Sequence, residues 1–332
     1  MHNAARQWLL AACDPQTAPA PSTRPLAAGE LAAVLAAAKQ HAVLGATLRS
    51  AAAWGVGRDA AAAHVLRRSE GDHLRDVGRT LGLRHVAHQA TAALARAGLP
   101  CCLLKGEDFA ARLYPTPALR PYRDVDLLTP RETFADADRV IQSLGFVPLM
   151  PRRKYAAEQY GQISYHAQGP EQWSLELHWN LINSPAQRQQ CSLTWDDLDL
   201  EPATPGSVQR LSPASLLVLA SVHACLGHRF DSLQQLCDLR QICRGVAGAV
   251  EPERLMHCCR RLRCETPLAW SLDLLVRVFR CEEARRLRAA CQFSNAVVRP
   301  LRVLGRETVL EPHSAASRLR RSWARLRLKN AA

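Results

Sequence analysis

Two carboxylates, Asp124 and Asp126, stand one residue apart in the run Arg123-Asp124-Val125-Asp126-Leu127-Leu128. In an extended strand successive side chains alternate between faces, so both acids project to one side and Val125 and Leu127 to the other. Like charges at that spacing call for cations or basic side chains. Magnesium takes hard oxygen ligands, commonly one or two carboxylates plus substrate phosphates. A third acid, Glu176, lies in Leu175-Glu176-Leu177-His178-Trp179, which alternates in the same way. On a strand beside the pair it would complete a cluster able to hold two ions about 3.5–4 Å apart. Taken alone, Asp-x-Asp is more often a solvated or salt-bridged pair, with Arg120 and Arg123 as partners immediately upstream.

The elements that must position these residues follow from apolar spacing. Residues 1–97 are helical in texture, with one stripe at Leu31, Val34, Leu35 and Ala38 and another at Leu74, Val77 and Leu81. A loose Pro-, Ala- and Thr-rich arm is expected from Pro15 to Pro25. Gly98-Leu99-Pro100 ends the preceding helix, and Leu99 to Leu104 reads as a buried strand before Lys105-Gly106. Lys105-Gly106 opens a helix whose N-terminal amides could face phosphate, with Lys105 adding a point charge. Thr129-Pro130-Arg131-Glu132 reads as a capping box for a helix whose stripe is Phe134, Ala137, Val140, Ile141 and Leu144, closed by Gly145. From about residue 206 the texture is helical again, starting at Ser212-Pro213. The expected fold is α/β (α+β), a small mixed sheet between two helical regions. Its sections are a helical N-terminal region at 1–97, a catalytic core at 98–205 and a helical C-terminal region with a basic tail at 206–332.

The chain has 332 residues, 48% hydrophobic, with 43 Lys plus Arg against 30 Asp plus Glu, a net charge of +13. That balance admits nucleic acid, an acidic membrane surface or a phosphate-rich substrate without selecting one. Residues 101–200 carry 10 basic side chains against 13 acidic, and residues 251–332 carry 18 against 8. The acid-rich segment suits metal recruitment, and the basic flank could draw in a triphosphate or an anionic acceptor. No window approaches the 18 or so apolar residues of a membrane span. Leu10-Ala11-Ala12-Cys13 has the look of a lipoprotein cleavage box, but the apolar run from Trp8 to Ala12 falls short of the roughly 7–15-residue core of an export signal. The 12 cysteines include no Cys-x-x-Cys pair, so buried free thiols in a reducing cytoplasm are expected.

The ordered series Leu103-Leu104-Lys105-Gly106, Arg112-Leu113-Tyr114-Pro115, Leu119-Arg120-Pro121, Asp124-Val125-Asp126-Leu127-Leu128 and Leu175-Glu176-Leu177-His178-Trp179 resembles an uncharacterised bacterial nucleotidyltransferase family of the DNA polymerase beta superfamily. Gln40-His41-Ala42-Val43 and the stretch from His223 to Asp238 agree with it, so the resemblance covers about residues 30 to 280. It implies that Asp124, Asp126 and Glu176 bind two Mg²⁺ ions. It further implies that Glu176 orients or deprotonates an acceptor hydroxyl, and that an NTP is attacked at its α-phosphorus with release of pyrophosphate. Lys105, Gly106, Arg120 and Arg123 are the expected nucleotide- and phosphate-binding residues, and His178 is expected to orient Glu176. The acceptor is open: a small molecule, a peptide or protein, or an RNA end. Gly106-Glu107 stands where the wider superfamily has Gly-Ser or Gly-Gly, and Glu107 would repel a triphosphate if it pointed inward.

Two rival readings stay open from the sequence: an inactive relative that binds nucleotide or a partner protein, and a basic, helical nucleic-acid-binding protein whose acids are incidental. His223 and His228, five apart, are expected as core or capping residues, and His85 and His88 on a solvated or part-buried face. Asp238 is expected to anchor helix packing. In the tail, Leu319, Trp323 and Leu326 share one helical face among basic residues, as on a solvated basic helix or a surface that meets an acceptor or membrane.

Overall fold

The computed structural model describes residues 1–16, 19–20, 24–149, 160–168, 173–183, 185–189, 191–201, 208–293 and 304–330, with the backbone alone at 186–187 and 325–330. Helices α1 (Asn3–Ala12), α2 (Ala28–Gln40), α3 (Leu44–Ala53) and α4 (Ala60–Arg96) precede a five-stranded sheet. Its strands are β1 (Cys102–Leu104), β2 (Asp124–Leu128), β3 (Phe146–Pro148), β4 (Gln162–Ala167) and β5 (Ser174–His178), in the order β1-β2-β5-β4-β3. Only β2 and β5 run parallel; the other neighbours are antiparallel. Helix α5 (Gly106–Leu113) connects β1 to β2, and α6 (Phe134–Ser143) connects β2 to β3. A mixed α/β fold was the expectation, and it holds.

The period of two along β2, β4 and β5 divides the sheet chemically. Val125, Leu127, Ile163, Tyr165, Leu175 and Leu177 face one way and pack on Leu83, Val86, Ala90 and Leu94 of α4 and on Phe134, Ala137 and Ile141 of α6. Burying each of these large side chains is worth about 1.5–3 kcal/mol, so register is strongly specified. The acids are thereby left on the opposite face. That face looks toward α7 (Pro213–Val222), begun by Ser212, whose Oγ accepts from the Ser215 N–H at 3.3 Å. A second core joins α1–α3, β1, α5, α7 and α8 (Leu233–Cys243), so residues far apart in sequence share one interior. His41 is a polar stitch in it: fully buried, it accepts from the Leu233 N–H at 3.4 Å and meets the Leu310 carbonyl at 3.2 Å.

Several sequence expectations need correction. Leu31, Val34, Leu35 and Ala38 are buried, but Leu74 and Leu81 are 68% and 59% exposed. Both runs on α4 have helical spacing, and the one that lies against the sheet, Leu83 to Leu94, is the one buried. The first strand begins at Cys102 rather than Leu99, because the Leu99 N–H closes α4 on the Leu94 carbonyl at 3.0 Å. Thr129 caps no helix: its hydroxyl donates to the Pro100 carbonyl and its N–H to the His178 carbonyl, both at 3.0 Å, which stitches the sheet. Helix α6 therefore starts four residues later, at Phe134. Strands β3 and β4 were not anticipated, since Gln162, Ser164 and His166 make β4 polar along one whole face.

All 12 cysteines are free and buried, as expected. Leu319 and Trp323 are exposed on the last helix, Ala315–Asn330, whereas the Leu326 side chain lies outside the described residues. The expected arm from Pro15 to Pro25 includes 17–18 and 21–23, also outside them. Among the described residues, no helix is long and apolar enough to cross a membrane.

Asp14, buried after α1, fixes that helix to α8 through Arg240 at 2.9 Å and Arg244 at 2.8 Å. Burial raises its pKa, but the Arg244 hydrogen bonds and both guanidinium charges outweigh this and hold it below the ordinary 3.8. The stabilisation is thus complete above that unfolded value and is lost as pH falls through the folded one. Asp14→Asn should cost about 3 kcal/mol at pH 7 in urea unfolding and flatten the loss of stability below about pH 4. An unchanged midpoint at pH 7 would refute the clamp.

Candidate active site

The site is assembled where β1 turns into α5. Lys105 takes φ 41°, ψ −117°, a backbone region uncommon for a residue with a Cβ. Gly106 follows because the turn runs against β2: a Cβ there would lie 3.1 Å from Tyr122 Cδ2 and 3.2 Å from the Asp124 carbonyl oxygen. The turn delivers the Lys105 ammonium to the polar face of the sheet, with Nζ 2.9 Å from Asp126 Oδ1.

Strand register does the rest. Asp126 pairs with Glu176 across the parallel β2–β5 ladder, Ser164 pairs with Glu176 across β4–β5, and Leu104 sits beside Asp126 across β1–β2. His178, two residues along β5, places Nε2 3.0 Å from Asp126 Oδ1 and 3.5 Å from Glu176 Oε2. The Ser164 hydroxyl donates to Glu176 Oε1 at 3.2 Å, and the Gln162 amide donates to Ser164 Oγ at 3.1 Å. One ligand atom each from Asp126, Glu176 and His178 lies within 4.8 Å of the others. Two carboxylates and an imidazole at that separation are a donor set that fits a divalent cation. Asp124, at the near end of the same strand face, lines the adjoining cavity.

Charge balance explains how these groups tolerate burial. Burial pushes Asp126 up, but Lys105 and His178 overcome it and hold the carboxyl well below the usual range. Glu176 is likewise lowered: burial opposes ionisation, and the His178 hydrogen bond and charge favour it more. His178 and Lys105 move upward, because both carboxylates outweigh the burial of these bases. Asp124 goes the other way, up to about 6, through burial and the charge of Asp126. Among the described residues, Asp124 makes no ion pair, and Lys105 offsets only part of the rise.

Beside the cluster lies a cavity of about 280 Å³. One wall is the sheet face, with Lys105, Asp124, Glu176 and His178; Gln162 and Asn183 extend it. The other is helical, with Leu219, Val222, His223, Leu226 and His228.

The structure does not bring every expected residue here. Arg120 is buried in a two-pronged pair with Asp238, Nε to Oδ1 and Nη2 to Oδ2 both at 2.8 Å, and Tyr114 donates to Asp238 Oδ1 at 2.7 Å. Arg120 also donates to the Gly106 carbonyl at 3.2 Å, so it braces the turn from behind, and Asp238 is the packing anchor expected of it. Arg123 is exposed and does not line the cavity. Glu107 turns toward α4, accepting from Tyr122 Oη at 2.7 Å and pairing with Arg84 at 3.3 Å. It is absent from the cavity wall, so the feared repulsion does not arise. His85 and His88 are exposed, as expected, whereas His223 and His228 line the cavity. Gln162, Ser164 and Asn183 were missed; only the alternation of Gln162, Ser164 and His166 pointed to them.

The sequence profile of a family described as uncharacterised nucleotidyltransferases matches residues 28–280. No curated protein matches the sequence. Among solved structures, an antigenic nucleotidyltransferase-like protein from Paracoccidioides brasiliensis is 16% identical, with a TM-score of 0.37 over 66% of this chain and 96% of that chain.

Lys105→Met would remove the ammonium that pairs with Asp126 and whose charge also favours ionised Glu176. With metal removed by chelation, it should lower stability by about 3–5 kcal/mol in urea unfolding. A loss below about 1 kcal/mol would show that Lys105 is not the compensating charge.

Proposed function

We propose, for a chain that belongs to the uncharacterised nucleotidyltransferase family, an Mg²⁺-dependent transfer of a nucleoside monophosphate from an NTP to an acceptor hydroxyl. The observation that carries this reading is the convergence of Asp126, Glu176 and His178 beside a cavity that Asp124 and Lys105 also line. The likeness of the Asp-x-Asp and Glu176 motifs to the DNA polymerase beta superfamily supplies the scheme of three acids and two ions.

Asp124, Asp126 and Glu176 are the residues that would hold magnesium. When bound, the ions neutralise phosphate oxygens and align the α-phosphorus for in-line attack. Glu176 takes the proton of the acceptor hydroxyl, and its free geometry is narrowed by Ser164 on Oε1 and His178 on Oε2. His178 fixes both neighbouring carboxylates at once, a positioning role. Lys105, adjacent to Asp126 and lining the cavity, is placed to meet phosphate oxygens as a point charge. The acceptor oxygen forms its bond to the α-phosphorus, the bond to the bridging oxygen breaks, and pyrophosphate departs. A small molecule, a peptide or protein, and an RNA end all present a suitable hydroxyl. The position of Glu107 supports catalysis over a binding-only relative, because its charge is taken up by Tyr122 and Arg84. The buried free thiols suit a reducing, cytoplasmic setting.

Incubation with each α-labelled NTP, Mg²⁺ and cell extract should label an acceptor. Asp124→Asn/Asp126→Asn should abolish labelling, and His178→Asn should reduce it about 10–100-fold. Labelling that survives the double substitution would overturn the assignment of the acids.

A further inference from the structure

The cavity's two walls differ in kind. Among the described lining residues, the carboxylates and the ammonium lie on the sheet side, at Lys105, Asp124 and Glu176, beside the imidazole of His178. Among the described residues, the helical side has no acid and no lysine or arginine; it is Leu219, Val222 and Leu226 with the imidazoles of His223 and His228. Those two rings are in edge-to-face contact, with centroids 4.5 Å apart at an interplanar angle of 69°.

Local backbone holds the pair there. Helix α7 ends in a single π-helical turn, His223–Gly227, and the His228 N–H returns to the His223 carbonyl at 3.2 Å. Arg229 and Phe230 then adopt φ 56° and 54°, with the Phe230 N–H on the Ala224 carbonyl at 2.8 Å. A π-turn is one of the ordinary ways a helix ends. Here it brings two histidines five residues apart onto one wall, which an ordinary helix would not do. Burial first, and then the Lys105 ammonium, keep His223 uncharged; burial does the same for His228 against the pull of Asp231. Opposite them Asn183 lines the cavity, and its Oδ1 is a buried acceptor without a hydrogen-bond partner among the described residues.

We infer that the helical wall is the seat of a planar heteroaromatic ring, the nucleobase of the triphosphate, flanked by His223 and His228 and offered a hydrogen-bond acceptor by Asn183. The inference rests on the nucleotidyl-transfer reading and deepens it. A nucleoside triphosphate bound to metal is itself divided this way, with a polyanionic end and an uncharged planar end. Uncharged imidazoles and aliphatic side chains suit the second and not the first, because stacking needs a π-face and apolar cover rather than charge. An acceptor aimed at the ring edge suits an amino or ring N–H group.

Calorimetric titration with three probes tests this: a non-hydrolysable NTP with Mg²⁺, inorganic tripolyphosphate with Mg²⁺, and a nucleoside alone. His228 is the partner to change, since its imidazole is 45% exposed and its loss spares the core. His228→Ala should weaken the NTP analogue and the nucleoside about tenfold or more and leave tripolyphosphate unchanged. His228→Phe, which keeps a planar ring, should restore most of that affinity. Equal weakening of tripolyphosphate would overturn the inference and make the histidines phosphate or metal contacts. Unchanged affinity for all probes would also overturn it. If the wild type binds nucleosides through His228 yet binds no Mg²⁺-tripolyphosphate, the ring seat stands and nucleotidyl transfer fails. If the wild type binds none of the three, the ring seat fails too.

Discussion

A buried carboxylate must be matched by positive charge or surrender its ionisation, and in this chain the match is Lys105 against Asp126 at 2.9 Å. Much of the sheet's polar face follows from that contact. It requires β1 beside β2, the uncommon backbone of Lys105, and a glycine next in line to let the turn pass Tyr122 and the Asp124 carbonyl. It also sets the pattern of ionisation. Asp126 and Glu176 are held in their charged forms and His178 is drawn toward its own, while burial and the charge of Asp126 push Asp124 up to about 6. Lys105 and His178 thus offset part of the cost of burying Asp126 and Glu176.

The surrounding helices carry the mechanical load of keeping that turn in place. Arg120 reaches the Gly106 carbonyl with one nitrogen and commits two others to Asp238 on α8, while Tyr114 completes the same carboxylate. The loop between α5 and β2 is therefore tied to the C-terminal helices, and α8 is tied to α1 through Asp14. A basic residue one turn upstream of Asp-x-Asp thus supports the site by fixing its scaffold, with its guanidinium buried and its charge already spent on Asp238. Among the described residues, no lysine or arginine of 251–332 lines the cavity, and Lys105 of the middle segment does.

How much of this the sequence disclosed depends on which interactions are local. Alternation in Asp124–Leu128 and Leu175–Trp179 put the three acids on strands and on one face, because period-two patterning is a short-range signal. His178 was legible for the same reason, sharing the face of Glu176. The partners of Arg120 and Glu107 were not, since Asp238 is 118 residues from Arg120 and Arg84 lies on a separate element, α4, from Glu107. Both side chains lie near the site in sequence yet are turned away from the cavity by contacts that only the assembled fold creates. Leu74 and Leu81 mark the limit of periodicity: helical spacing identified α4, but the face that meets the sheet was the other one. His223 and His228 escaped because a π-helical turn changes the spacing that brings residues together.

The central claim of the proposed function is that Asp124, Asp126 and Glu176 hold divalent cations, with His178 positioning the last two carboxylates. Titration of Mn²⁺ followed by electron paramagnetic resonance, with a non-hydrolysable NTP present, measures this without relying on turnover or on knowing the acceptor. Saturable Mn²⁺ binding by the wild-type protein, lost in Asp126→Asn and in Glu176→Gln, is the expected result. Equal binding by the wild type and both variants, or no binding by the wild type, would contradict it.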